Sequence, residues 1–114
     1  MTKFPTGTVT WANDPTNAHD DRPVIVLSHE NRPFSSVECT VMCVGTGAKN
    51  YDHYAPELKD EHLSGISFNN KTYLMLWALY TIPPGAIRTG KASGELTETG
   101  ENLVKKGLLS LFSA

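Results

Sequence analysis

Asp21-Arg22-Pro23-Val24-Ile25-Val26-Leu27-Ser28 sets a charged pair and a proline directly before an apolar run that reads as a buried strand. Proline has no N–H and a φ fixed at about −65°, so it suits the first residue of a strand and stiffens the backbone beside Arg22. Arg22 is therefore expected at the mouth of a strand, held in place. Its guanidinium carries five donors in a planar fork and a charge that does not titrate away, which suits it to phosphate. An ordinary surface ion pair with Asp20 or Asp21 is the alternative role.

Outward from this stretch, Thr6 to Trp11 is rich in Thr and Val and is expected to form the preceding strand. Asn13-Asp14-Pro15-Thr16-Asn17 reads as turn chemistry, and with Ala18-His19-Asp20-Asp21 it makes a polar connection of about ten residues, longer than most. Long connections of this kind often carry function. Downstream, Val37 to Val44 is dense in β-formers and stops at Gly45-Thr46-Gly47. Gly65 to Phe68 and Tyr73 to Tyr80 suggest a hairpin across Asn69-Asn70-Lys71, Ala86-Ile87-Arg88 a short strand, and Pro56 to Lys59 a turn of helix or an irregular excursion. After Thr97 to Glu101, Leu103, Val104, Gly107, Leu108, Leu111 and Phe112 recur at helical spacing. Five or six short strands in series with one terminal helix predict a mainly β fold, a small SH3-like β-barrel with a C-terminal helix, because an open sheet of this size would leave edges exposed.

The 114 residues are expected to form a single domain over residues 1–114, able to bury roughly two thirds of its unfolded surface without a disulfide or metal. Cys39 and Cys43 share one side of a strand but stand about 13 Å apart, too far to bridge, so both are expected as buried free thiols. No metal-ligand spacing occurs, so neither metal nor cofactor is expected. No apolar run reaches membrane-spanning length and no signal-like pattern opens the chain, so a soluble, cytoplasmic protein is expected. The formal net charge of −2 and pI of about 6.0 remove any global argument for nucleic-acid binding; such binding must be local.

Taken together, Gly7-Thr8-Val9-Thr10-Trp11, the polar loop, Arg22-Pro23-Val24-Ile25-Val26-Leu27-Ser28, the β-run ending at Thr46, and Trp77-Ala78-Leu79-Tyr80-Thr81-Ile82 resemble the PemK/MazF toxins. The match covers most of the chain and is weakest between residues 48 and 70. It implies an SH3-like barrel that dimerises, cleaves single-stranded RNA at preferred sequences without a metal ion, and is restrained by a cognate antitoxin protein. In the family the arginine before the proline and the threonine at the end of the third strand belong to the active site, which maps onto Arg22 and Thr46. The RNA 2′-OH attacks the adjacent phosphorus while the protein stabilises the developing charge and supplies a proton to the leaving 5′-oxygen; Arg22 fits the first task. Thr46, between two glycines, offers a hydroxyl and nearby backbone N–H groups to a phosphate oxygen, or else caps its own turn.

The resemblance breaks at one place. Some members carry an Arg-x-Asp pair before the Thr-Ile dipeptide as acid and base, and here Met75 and Trp77 stand at those positions. Substitutes are His19, Asp20 and Asp21 in the loop and His29 and Glu30 beyond the strand; His19 is the chemical choice for the catalytic set with Arg22 and Thr46, because histidine changes charge nearest neutrality. Asp21, Lys49, Tyr51 and Tyr54 are the expected RNA-binding residues, the tyrosines by stacking. Trp11 and Trp77 are expected mainly in the core, with base stacking as their other role. The missing pair and the acidic pI keep open a weak or inactive barrel that acts as a protein-binding inhibitor, in the manner of the gyrase-poisoning CcdB toxins, or as another binding module.

Overall fold

A computed structural model describes residues 4–49, 51 and 53–113. Among the described residues the fold is mainly β: seven antiparallel strands in a nearly closed small barrel, with one C-terminal helix. The strands are β1 (Thr8–Asn13), β2 (Asp21–Val26), β3 (Cys39–Gly45), β4 (Glu57–Leu58), β5 (Leu63–Ser64), β6 (Thr72–Ile82) and β7 (Gly94–Leu96), and the helix is α1 (Glu98–Ser113). Their order across the sheet is β4-β6-β3-β2-β1-β7-β5. The two edge strands, β4 and β5, are joined only by Lys59 and a single 3-10 turn at Asp60–His62, so the covalent chain pulls the edges together. That short link curls the sheet and protects edges that would otherwise invite pairing.

The unbroken apolar run of β2 follows from burial on both faces of the sheet. Ile25 joins Val9, Met42, Val44, Leu74 and Leu76 in one cluster, which Val104 of α1 helps to complete. Val24 and Val26 point the other way, into a cluster with Val41, Cys43, Ala78, Ile82 and Ile87. Cys39 and Cys43 are buried free thiols. Thr97 caps α1: its hydroxyl accepts from the Gly100 N–H at 3.1 Å and donates to the Glu61 carbonyl at 2.7 Å. Gly107 lets the helix lie against β6, since a Cβ there would stand 2.7 Å from a Leu76 methyl.

Several local expectations are corrected. Residues 65–68 form no strand and no hairpin crosses Asn69-Asn70-Lys71; β6 instead pairs with β3 and with the two-residue β4. Ile66 and Phe68 are drawn onto the barrel core by their side chains, without ladder hydrogen bonds. Pro56–Lys59 contains β4 rather than a helical turn, and at residues 86–88 there is one isolated bridge, Ala12 to Ile87, after a 3-10 turn at Pro84–Ala86. Phe112 does not belong to the helix's packed face: it is 91% exposed. No helix among the described residues is long and apolar enough to cross a membrane.

β6 departs from regular pairing where it matters for the site. Met42 pairs with Leu79 and Val44 with Leu74, so residues 75–78 of β6 bulge opposite a single residue of β3. Bulges re-aim side chains, and this one contains both Met75 and Trp77.

Candidate active site

Arg22 sits one residue inside β2, opposite Ala12 of β1, and its side chain turns toward the end of β3. It is more enclosed than a strand mouth suggests, with 12% of its side chain exposed. Its partner is neither Asp20 nor Asp21 but Asp14, which is completely buried and receives the Nε–H at 3.2 Å. Nη1 points to the Val44 carbonyl at 3.4 Å and to the Met75 sulfur at 3.3 Å. Nη2 makes no hydrogen bond among the described residues, yet no buried polar side-chain atom among them lacks a partner, so Nη2 reaches solvent. The guanidinium is thus fixed through two nitrogens and presents the third.

Gly45 makes this geometry possible. A Cβ at that position would fall 2.7 Å from Nη1, so the guanidinium lies across backbone that only glycine leaves open.

Asp14 organises the loop between β1 and β2. Its Oδ1 also accepts from the Thr16 N–H at 2.9 Å and the Thr16 hydroxyl at 2.7 Å, and Oδ2 accepts from the His19 N–H at 2.9 Å. Burial alone would raise its carboxyl, but the hydrogen bonds from Thr16, His19 and Arg22 outweigh it and hold the pKa at about 2. Asp14 is therefore a fixed anion that orients Arg22, and a poor base. Cys43, nearby on β3, is pushed up to about 11 by burial, against the opposing pull of Arg22, so it stays a thiol.

A cleft of about 530 Å³ opens beside Arg22, lined among others by Trp11, His19, Asp21, Thr46, Tyr51 and Trp77. Of the residues expected at the site, Arg22, Thr46, His19, Asp21 and Tyr51 meet here. Asp21 is already engaged: its carboxylate takes Lys91 and, at 3.3 Å, Arg88, and the Lys91 hydrogen bond lowers its pKa despite desolvation. Lys91 also stands 4.7 Å from the centre of the Trp11 ring. Lys49 and Tyr54 do not line the cleft; Tyr54 lines a separate hollow with His53, Ser110 and Ser113 near the end of α1. His29 and Glu30 lie outside the cleft as well.

Both tryptophans, expected mainly as core, line it instead. Trp77 is 48% exposed, and its ring meets that of Tyr51 edge to face at 6.1 Å and 70°. Met75 lines the cleft too, with its sulfur against Nη1. Ser67 to Asn70, which also line it, come from the stretch expected to be a hairpin. Among the described residues no group of three or more His, Cys, Asp or Glu is placed to hold a metal ion.

The cleft is lined by Arg22, Thr46, His19 and the aromatic residues Trp11, Tyr51 and Trp77, and the guanidinium suits it to an anion. No protein-family model matches the chain, and no curated protein sequence matches it.

Proposed function

We propose that the chain is a PemK/MazF-like toxin on an SH3-like barrel, an endoribonuclease that cleaves single-stranded RNA without a metal ion. One observation carries the reading: an arginine fixed by a buried carboxylate, with its Nη2 open to solvent, lines a cleft that Thr46 lines as well. A guanidinium fixed beforehand needs no reorganisation when charge develops on a phosphate, which is where electrostatic catalysis is most effective. In the proposed reaction the RNA 2′-hydroxyl gives its proton to solvent water and its oxygen attacks phosphorus. The P–O5′ bond then breaks, leaving a 2′,3′-cyclic phosphate and a 5′-hydroxyl. Arg22 and Thr46 hold the non-bridging oxygens, and His19 gives the proton that the leaving 5′-oxygen takes up. Asp14 positions Arg22 and transfers no proton.

The same reading carries a cytoplasmic homodimer, in which two Arg22 clefts share one groove, and a cognate antitoxin protein as partner. Met75 and Trp77 favour a second reading, since they give the cleft an apolar side: a protein-binding inhibitor of the CcdB kind. The test is incubation of the pure protein with a long single-stranded RNA in EDTA, beside Arg22→Lys. Lysine keeps a charge opposite Asp14 but not the fork, so cleavage is expected to fall about 10²- to 10³-fold. Absence of cleavage by the wild type, or equal cleavage by both proteins, overturns the ribonuclease reading.

A further inference from the structure

We propose that Trp77, walled by Tyr51, is a stacking seat for one unpaired nucleobase of a single-stranded nucleic acid, next to the phosphate that Arg22 receives. The inference rests on the phosphate reading of the Arg22 cleft and adds to it the residue that recognises the base.

Trp77 lies in the middle of the longest strand, where a large apolar side chain would ordinarily be covered, yet nearly half of it faces water. It lies within the irregularly paired stretch of residues 75–78, between buried Leu76 and Ala78, and such irregularities are common beside sites. Tyr51 is 57% exposed and stands against it, and both rings belong to the cleft that holds Arg22 and Thr46. Trp11 is in the same cleft, but the Lys91 ammonium occupies one face of its ring, which leaves Trp77 as the more open platform. Ser67, Asn69 and Asn70 line the same cleft and carry hydroxyl and amide groups that can donate to or accept from a base edge.

The occupant that fits must join an anion to a flat ring. A nucleotide within a single strand does so, whereas bases in a duplex have both faces stacked and unavailable. Phosphate contacts set position and carry no sequence information; a stacked base adds affinity and ties the phosphate to a defined neighbour.

The experiment compares a 2′-O-methyl RNA octamer, in which the attacking hydroxyl is blocked, with a 2′-O-methyl octamer of equal phosphate number whose central bases are removed. Binding to the full chain is read by fluorescence anisotropy. The wild type is expected to bind the base-bearing strand about 5- to 150-fold more tightly, the range that one aromatic stack contributes. Trp77→Ala should bring that strand down to the level of the abasic one and leave abasic binding unchanged, while Trp77→Phe keeps most of the preference. Equal binding of the two strands by the wild type overturns the proposal, as does a Trp77→Ala loss that falls equally on both. A shift of Trp77→Ala from dimer to monomer in light scattering, with the preference intact, overturns it in favour of a second copy covering Trp77. Because neither strand can be cleaved by 2′-OH attack, a base preference found beside inactivity on RNA leaves the seat standing and removes only the ribonuclease reading.

Discussion

Asp14→Asn isolates the contribution of the buried carboxylate to the fold and to Arg22. Asp14 receives three donors on Oδ1 and the His19 N–H on Oδ2. Asparagine has one acceptor and one NH₂ group, so either orientation sets a donor against a donor. The better orientation keeps the oxygen toward Thr16 and Arg22 and turns the amide nitrogen to the His19 N–H; one hydrogen bond is lost, together with the charge opposite Arg22. Removing one partner of a buried ion pair costs about 3–5 kcal/mol, and leaving one donor unpaired about 1–3. Since Arg22 retains solvent access through Nη2, the cost is expected at or just below the bottom of the ion-pair range, about 2–3 kcal/mol. At about 4 °C per kcal/mol for a domain of this size, Tm is expected to fall by about 8–12 °C near neutral pH. The folded carboxyl titrates at about 2, below the ordinary Asp value of about 3.9. The stability it contributes is therefore complete above about pH 4 and is lost as pH falls toward 2. The gap between wild type and variant should close over that window. Thermal melts followed by circular dichroism across that pH range make the test; coincident melts near neutrality, or a gap that stays constant into acid, refute the reasoning.

Gly45→Ala introduces a Cβ 2.7 Å from Nη1 at a backbone position that alanine tolerates, so the guanidinium must move. Cleavage should drop on the order of 100-fold, as a misplacement of about 1 Å can cost, with less than about 1 kcal/mol of stability lost in urea titration; unchanged cleavage would mean that the position of Arg22 is unimportant. Gly107→Ala gains about 1 kcal/mol of helix propensity, yet its Cβ would lie 2.7 Å from a buried Leu76 methyl. Overpacking costs about 1–3 kcal/mol, so a lower Tm is expected and a higher one contradicts the close approach of α1 to β6. Lys91→Ala removes the hydrogen bond that chiefly lowers the Asp21 carboxyl; carbon NMR should find Asp21 titrating at a higher pH in the variant, and an unmoved midpoint argues against the Lys91 contact.

The parts of the fold legible in the sequence are those that local composition determines. Val24 to Val26 and the β3 run could only be buried strands, and the Leu103, Val104, Gly107, Leu108 spacing marks the helix. The strands that close the barrel are two or three residues long and pair across distant stretches, Leu63 with Leu96 and Glu57 with Tyr73, so no local pattern announces them. Gly65 to Phe68 shows the limit plainly, since apolar composition reports burial but not hydrogen-bond pairing. At the site, the Arg-Pro pair pointed to Arg22 and the resemblance to the PemK/MazF toxins to Thr46, and both line one cleft. Asp14 was hidden inside apparent turn chemistry. Its Asp-Pro-Thr setting does signal a carboxylate bonded to the Thr16 backbone, but nothing local reveals that the same carboxylate holds Arg22. Trp77 was hidden because an aromatic residue within an apolar run reads as core, and which face of β6 stays uncovered is a tertiary property.

The central claim concerns the bond that breaks, and the ends of the RNA fragments report it directly. Single-stranded RNA incubated with the wild-type protein in EDTA should yield fragments with 5′-hydroxyl ends, which polynucleotide kinase labels without prior phosphatase treatment, and 2′,3′-cyclic phosphates identified by mass spectrometry. The same fragments should be strongly depleted with Arg22→Lys. Fragments bearing 5′-phosphates, cleavage that appears only when Mg²⁺ is added, or no cleavage at all would contradict the assignment of Arg22 and Thr46 to a metal-independent attack by the 2′-hydroxyl.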